Sequence, residues 1–400
     1  MSKRIILSLF LALILALGCL PGMAEEAPDP ETTVVVSING EAILLRDVIP
    51  QYRQYAAQYQ AYGMDLSDQN VSQQLFSLVV NNLMQEKLIR QKAAELGLDQ
   101  YGEELEAQWL ETATKNYESL LQMYMASQTE EGMSEEEKRT AAVAMLENSG
   151  YSLDVALKSL KDKELFRRVH TYAVEGISIP EDAVRNAYDE GVAQAKERYA
   201  ENPAAFGSEV QTGSIIYYTP EGYRTVKHIL VKCDDAAELK ELKGKVAELQ
   251  EGEEGYAEAK ARIDEIMAGV QPKLDEIMGR IEAGEDFQGL IDAYGEDTGM
   301  KSGPAAETGY YMCKDTTTYV PEFTEGGMAL EAEGDVSPPI LTNFGFHIIR
   351  LHSLVAPGET EFEEIREQIR EQLLSEAQDA AYTAKIQEWA EEAVVEYPKA

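Results

Sequence analysis

Hydrophobic residues at helical spacing dominate the first half of the chain. Ahead of them, the apolar residues 34–38 and 42–44 flank Asn39-Gly40. This pair suits the positive φ angles of a tight turn and predicts a β-hairpin. From Arg46 onward, apolar residues recur every three or four positions. One such set is Leu75, Leu78, Val79, Leu83, Leu88 and Ile89. We therefore predict a mostly helical lobe over residues 34–205, followed by a linker at residues 206–222.

Helix-start signals within this lobe refine the prediction. Ser134 and Glu137 have the spacing of a capping box. Residues 153–175 and 180–200 also fit helices, and the second helix would carry Pro180 in its first turn.

Two short apolar runs rich in β-branched residues mark the second half of the chain. They are VKHILV at residues 226–231 and TNFGFHIIR at residues 342–350, and each predicts a buried strand. Each also contains one of only four histidines, His228 or His347. Between them, apolar residues at helical spacing over about residues 236–271 predict a helical hairpin, because the sequence EGEEG interrupts the pattern.

The last part of the chain again has a helical pattern. Phe362, Ile365, Ile369, Leu373 and Trp389 approximate one helical face. A single helix at residues 359–398 needs a partner to cover that face, and the N-terminal helical lobe can supply it. The segment between them, residues 223–353, would then be a domain inserted into the lobe.

The N-terminus predicts export from the cytoplasm. Lys3 and Arg4 precede an apolar run at residues 5–17 and a small-residue exit ending at Ala24, which is typical of a signal peptide over residues 1–24. Cleavage there competes with a degenerate lipobox that would anchor the chain to lipid through Cys19. Residues 25–33 are polar and predict a flexible spacer. Either route places the mature chain outside the cytoplasmic membrane, secreted or held at the cell envelope.

Composition excludes several classes of function. The 400-residue chain has 35 basic and 72 acidic residues, a net charge of −37, which argues against nucleic-acid binding. Beyond Cys19, the cysteines are Cys233 and Cys313, and the sequence leaves open whether they pair. Neither they nor the histidines show the spacing of metal ligands. We therefore expect no metal and no cofactor, and a cysteine- or metal-dependent hydrolase has little support.

Four motifs in the inserted segment resemble the parvulin family of peptidyl-prolyl cis–trans isomerases. They are VKHILV, GEDFQGLIDAYGED at residues 284–297, VPEF at residues 320–323 and GDVSPPILTNFGFHIIRL at residues 334–351, and they occur in the family's order. VSINGEAILLRDV at residues 36–48 is similar to the start of secreted foldases of the PrsA and SurA type. The resemblance implies an α+β fold: a small antiparallel sheet surrounded by helices, inserted into a SurA-like helical lobe that the C-terminal helix completes.

The resemblance also implies the roles of individual residues. His228 and His347 would be paired histidines on adjacent strands, with Thr342 in their hydrogen-bond network and Asp297 near the substrate carbonyl. Phe323 would form the floor of a proline pocket, Tyr319 its wall and Phe344 another aromatic edge. The residues themselves also allow ordinary structural roles: Asp297 as a helix cap and Phe323 as a core residue.

The implied function is that of an extracytoplasmic foldase. It would isomerise X-Pro bonds in unfolded, exported polypeptides while the helical lobe holds them. The alternative is a non-catalytic chaperone whose parvulin domain only binds peptides. The oligomeric state stays open, and contact with a membrane would be peripheral, through a lipid on Cys19.

Overall fold

The computed structural model describes residues 28–127 and 133–398. The predicted signal peptide and Cys19 lie outside these residues. Of the predicted spacer, residues 29–33 form a hydrogen-bonded turn. The Thr33 amide donates to the Asp29 carbonyl at 3.0 Å, and the Thr33 carbonyl accepts from the Leu45 amide at 2.9 Å.

The helices and strands are numbered here in chain order. The helices are α1 Leu45–Ala61, α2 Gln69–Glu95, α3 Glu103–Ala126, α4 Glu135–Asn148, α5 Leu153–Ala173, α6 Glu181–Glu201, α7 Ala205–Thr212, α8 Ala236–Glu248, α9 Tyr256–Glu282, α10 Phe287–Tyr294, α11 Pro304–Thr308, α12 Pro321–Met328 and α13 Phe362–Glu392. The strands are β1 Val34–Ile38, β2 Glu41–Leu44, β3 Tyr218–Thr219, β4 Arg224–Lys232, β5 Tyr310–Met312, β6 Ile340–Thr342, β7 Gly345–Leu354, β8 Gly358–Glu359 and β9 Val395–Glu396.

The first compact unit contains the described residues up to 177 and again those from 375. The predicted hairpin pairs β1 with β2, and β9 adds to the other side of β1. Asn39 has φ 50° in the turn, and the capping box of Ser134 and Glu137 begins α4 as predicted. Ile386 and Trp389 of α13 share a buried cluster with Leu88 of α2. The predicted helical lobe completed by the C-terminal helix is therefore confirmed.

The second compact unit, residues 178–374, is built on a four-stranded antiparallel sheet. The strand order is β5-β4-β7-β6, which agrees with the predicted α+β class. Ile229 and Ile348 face one side of the sheet, where α9 and α10 cover them. Val226 and Ile349 face the other side, where they pack with Phe323 of α12. The β4 and β7 strands form the centre of the sheet, and the two histidines lie on them.

Residues 178–222 pack within this second unit, although the sequence suggested the helical lobe and a linker for them. The apolar face of α6 covers the start of α13, where Val184 and Tyr188 share a cluster with Phe362 and Ile365. The supposed linker contains α7 and β3, and β3 pairs with β8. Pro180 is the N-cap of α6 and not part of its first turn. An amphipathic pattern predicts that a helix needs a partner, but it does not identify the partner.

The predicted helical insertion is present as α8 and α9, and α9 continues to Glu282, past the expected end near residue 271. Among the described helices, none is both long and apolar enough to cross a membrane.

Candidate active site

His228 and His347 lie on the same face of the sheet, on the antiparallel neighbours β4 and β7. The register pairs His228 with Ile349 and Leu230 with His347. The two histidines are therefore two residues apart along the ladder and point to one side. Their Nδ1 atoms are 2.9 Å apart, and their rings stack with centroids 5.0 Å apart. Both side chains are buried, so the predicted histidine pair exists.

Thr342 and Asp297 extend this pair into a chain of four side chains. Thr342, buried at the end of β6, lies with its Oγ1 3.0 Å from His347 Nε2. At the other end, His228 Nε2 is 2.8 Å from Asp297 Oδ2. The structure thus brings together the four residues proposed as catalytic. Asp297 also receives the Gly299 amide on Oδ1 at 2.9 Å, so the predicted capping contact and the contact with His228 occur in one residue.

Tyr310 is a member of the site that the sequence did not reveal. Its hydroxyl donates to Asp297 Oδ2 at 2.9 Å, and its ring centroid lies 5.7 Å from that of His228. It begins the short strand β5, which pairs with β4 through Val226. The only local feature in the sequence was an aromatic residue after Thr308-Gly309. Which residue lies beside Tyr310 across the sheet depends on the strand register.

The hydrogen-bonded side chains of the site differ in charge. The His228 hydrogen bond lowers the pKa of Asp297 well below its ordinary value, with further donation from Gly299 and Tyr310 opposing the effect of burial. Burial is also the main cause that lowers the pKa of His347 to about 3, and the neighbouring His228 lowers it further. Burial first, and then Asp297, raises the pKa of Tyr310. At neutral pH the site holds an anionic Asp297, a neutral His347 and a protonated Tyr310.

These protonation states limit which atoms of the hydrogen-bond chain can donate. An ionised Asp297 only accepts, so His228 carries a hydrogen on Nε2. The neutral His347 contacts Thr342 Oγ1 through Nε2 and His228 Nδ1 through its own Nδ1, so one of its ring nitrogens donates and the other accepts. The Phe344 amide donates to Thr342 Oγ1 at 3.1 Å and completes the chain. Each side chain thus fixes the orientation and tautomer of the next.

Aromatic rings cover the histidine pair on one side. The Phe323 ring meets both imidazoles edge to face, with centroids 4.9 Å from His228 and 5.1 Å from His347. Tyr319 follows, 5.6 Å from Phe323 and 5.3 Å from Tyr310. Phe323 and Tyr319 are therefore next to the polar chain, as a proline pocket would require.

Phe344 is placed differently from the other predicted binding residues. It lies in the turn between β6 and β7, and its side chain is 61 % exposed. Its backbone amide, not its ring, contacts the hydrogen-bond chain. The structure does not bring its ring into the buried aromatic group.

The remaining histidines and cysteines lie elsewhere. The exposed His352 follows His347 by five residues, on the opposite side of β7, and His170 contacts Tyr382 in the first unit. Cys233 and Cys313 are free thiols, which resolves the pairing left open above. The described residues contain no cluster of three or more groups that could hold a metal ion.

Known proteins resemble the chain in both units. Residues 1–118 match the family model of the SurA-like N-terminal domain, and residues 228–353 match that of the PPIC-type PPIASE domain. The Foldase protein PrsA of Clostridium botulinum (strain 657 / Type Ba4) is 24 % identical, with 97 % of this chain and 95 % of the relative covered. The Foldase protein PrsA of Clostridium perfringens (strain 13 / Type A) is 23 % identical, with 97 % and 93 % covered. A solved structure of a SurA-like chaperone from Campylobacter jejuni is 13 % identical, covers 92 % of this chain and 100 % of its own, and has a TM-score of 0.32.

Proposed function

We propose that this chain, which combines a SurA-like N-terminal domain with a parvulin-type peptidyl-prolyl isomerase domain, is an extracytoplasmic foldase. It catalyses cis–trans isomerisation of X-Pro bonds and holds unfolded exported polypeptides. The observation that carries the proposal is the chain Thr342, His347, His228 and Asp297 beside the ring of Phe323.

The reaction needs an environment that favours a twisted imide. Rotation about a peptide bond crosses a barrier of roughly 18–20 kcal/mol because amide resonance is lost, and X-Pro exchange in solution takes tens to hundreds of seconds. No covalent bond breaks, so neither a nucleophile nor a cofactor is needed. Resonance separates charge between oxygen and nitrogen, and the twisted form has less of this separation. A water-excluding aromatic pocket therefore stabilises the twisted form more than the planar forms.

The buried polar chain gives this pocket a fixed electrostatic field. The negative charge on Asp297 lies at one end, and two oriented imidazoles lead from it towards Thr342. Because burial keeps His347 neutral, no positive charge forms at its position under physiological conditions. We propose that the histidines orient and polarise the site and that they do not transfer a proton. Phe323 and Tyr319 would contact the proline ring.

The first unit has surface properties that support a holding function. Tyr62 is 79 % exposed, Met64 50 % and Met123 57 %. Exposed aromatic and methionine side chains adapt to varied apolar segments. Unfolded clients expose such segments before they fold.

Refolding of a protein limited by proline isomerisation tests the proposal. The full chain should accelerate the slow proline-limited phase at substoichiometric concentration, and Phe323→Leu, which removes the aromatic edge but keeps apolar bulk, should slow this acceleration. His352→Gln is a matched control at the other side of β7 and should act as the wild type. A folded wild-type protein that suppresses aggregation but leaves the slow phase unchanged would support the non-catalytic chaperone instead.

The mode of export is a separate part of the proposal. A signal peptide over residues 1–24 or an acylated Cys19 would produce mature chains that differ in their first residue and in added acyl mass. The intact mass of the exported protein distinguishes them, and a mass that still includes residues 1–18 would contradict both.

A further inference from the structure

Helix α7 reaches the aromatic side of the site from outside the matched isomerase domain. The domain model begins at residue 228, whereas α7 spans Ala205–Thr212. Gln211, near its end, donates from Nε2 to the Tyr319 hydroxyl at 2.8 Å. Tyr319 in turn packs against Phe323 and Tyr310. A residue of the supposed linker thus contacts the wall of the proline pocket.

Helix α7, which carries Gln211, is held in place by aromatic packing and hydrogen bonds. The Phe206 ring of α7 meets Tyr223 edge to face at 4.6 Å and Tyr311 at 5.9 Å. The Gly207 amide donates to the Tyr223 hydroxyl at 3.2 Å, and that hydroxyl donates to the Pro203 carbonyl at 2.7 Å. Because Tyr311 follows Tyr310 in β5, α7 is fixed to the strand that also holds Asp297 in place.

The direction of the Gln211 hydrogen bond defines what Tyr319 can do. Since the Gln211 amide donates, the Tyr319 oxygen is the acceptor and its own hydrogen is available to a second acceptor. Burial raises the pKa of Tyr319 to about 12, so this hydrogen is retained at physiological pH. Beside a proline pocket, the acceptor that every client offers is a main-chain carbonyl.

We infer that α7 is part of the isomerase site, with Gln211 as a positioning residue that directs the Tyr319 hydroxyl towards a main-chain carbonyl of the client next to its proline. The inference rests on the proposed isomerase function and adds a contact that is independent of the client's side chains. It extends the functional unit to residues before the matched domain.

Two substitutions of Gln211 distinguish a role in orienting the Tyr319 hydroxyl from a simple contact with it. Gln211→Ala removes the donor and leaves the Tyr319 hydroxyl unoriented. Gln211→Glu introduces an acceptor that takes the Tyr319 hydrogen and turns it away from the client. One uncharged hydrogen bond corresponds to roughly a three- to tenfold change. We expect kcat/KM of the full chain for an X-Pro tetrapeptide to fall by that factor in Gln211→Ala and by at least as much in Gln211→Glu.

The deciding measurement is whether the effect of Gln211 on kcat/KM depends on the Tyr319 hydroxyl. In a Tyr319→Phe background, neither change at Gln211 should lower kcat/KM further, because the hydroxyl on which Gln211 acts is absent. The melting temperature should stay unchanged, since Gln211 is exposed. Gln60→Ala, at another exposed helical glutamine, is the matched control. Wild-type kcat/KM in both Gln211 variants, or losses that add to that of Tyr319→Phe, would overturn the inference.

A failure of the proposed isomerase function would give a different result from a failure of the inference about Gln211. A wild-type protein that binds the tetrapeptide without accelerating its isomerisation contradicts that function. The inference is then decided by the Kd of the same variants for the same peptide: a weaker Kd that is coupled to Tyr319 supports it, and an unchanged Kd overturns it.

Discussion

At the scale of single residues, the site is a chain of hydrogen bonds whose two ends differ in charge. Asp297 anchors one end as an anion that receives hydrogens from His228, Tyr310 and Gly299. Thr342 closes the other end within the sheet. The two buried histidines between them form all their hydrogen bonds only when each imidazole has the matching tautomer. Each residue of this hydrogen-bond chain therefore constrains its neighbours.

The first prediction concerns pH. The pKa of His347 is lowered to about 3 in the folded protein, against roughly 6.5 when unfolded. Below pH 6.5 the unfolded chain therefore binds the proton more readily, and stability is lost as the pH falls towards 3. Between pH 7 and pH 5 this costs about 2 kcal/mol. In His347→Gln that part of the pH dependence should disappear.

Urea unfolding followed by circular dichroism at the two pH values measures this difference, with His170→Gln as the control. An unchanged pH dependence in His347→Gln would show that His347 is already protonated in the folded protein at pH 5.

A second prediction concerns Tyr310. Tyr310→Phe removes one donor to Asp297 and should lower kcat/KM roughly three- to tenfold. Gly299→Ala should act in the same way, because a Cβ on Gly299 would lie 2.3 Å from the Tyr310 hydroxyl oxygen and displace it. The double variant should lose no more than the stronger single variant. Additive losses in an isomerase assay would contradict a shared action through Asp297.

At the scale of elements, the sequence predicted what depends on local pattern. The apolar runs around His228 and His347 became the central strands, and the Asn39-Gly40 turn formed the hairpin. The partner of α6 and the contribution of α7 depend on packing between segments far apart in the chain, which no local pattern contains. Tyr310 was missed for the same reason, since its contact with Asp297 follows from the pairing of β5 with β4.

The first residue of β7 gives a third prediction. Gly345 has φ 129°, and a Cβ there would lie 2.3 Å from the Val231 carbonyl oxygen. Gly345→Ala should therefore separate β7 from β4 near the histidines and destabilise the protein by about 1–3 kcal/mol, with loss of isomerase activity. Gly279→Ala is the matched control, because Gly279 lies within α9 with no atom near its added Cβ. It should stabilise by about 0.5–1 kcal/mol. Equal unfolding free energies for the two variants would contradict the close approach at Gly345.

At the scale of the whole molecule, the two compact units divide the proposed work. The histidine chain and its aromatic cover lie within residues 178–374, and the exposed Tyr62, Met64 and Met123 belong to the other unit. Trp109 and Trp389 also lie in that other unit. Tryptophan fluorescence therefore reports on the first unit, and isomerase activity reports on the second.

A fourth prediction uses this division. Replacing Tyr62, Met64 and Met123 together by serine should weaken the suppression of client aggregation and leave kcat/KM for a short X-Pro peptide unchanged, because short peptides need only the isomerase site. Light scattering of an aggregating client measures the first effect. Full aggregation suppression by the triple variant would place the holding surface elsewhere.

The most direct test of catalysis is exchange spectroscopy on an X-Pro peptide with the full chain at catalytic concentration. The proposed isomerase function predicts separate cis and trans resonances that exchange far faster than the uncatalysed tens to hundreds of seconds. It also predicts slower exchange in Asp297→Asn and wild-type exchange in Asp264→Asn, an exposed aspartate of α9. Uncatalysed exchange rates with a folded, peptide-binding wild-type protein would contradict it.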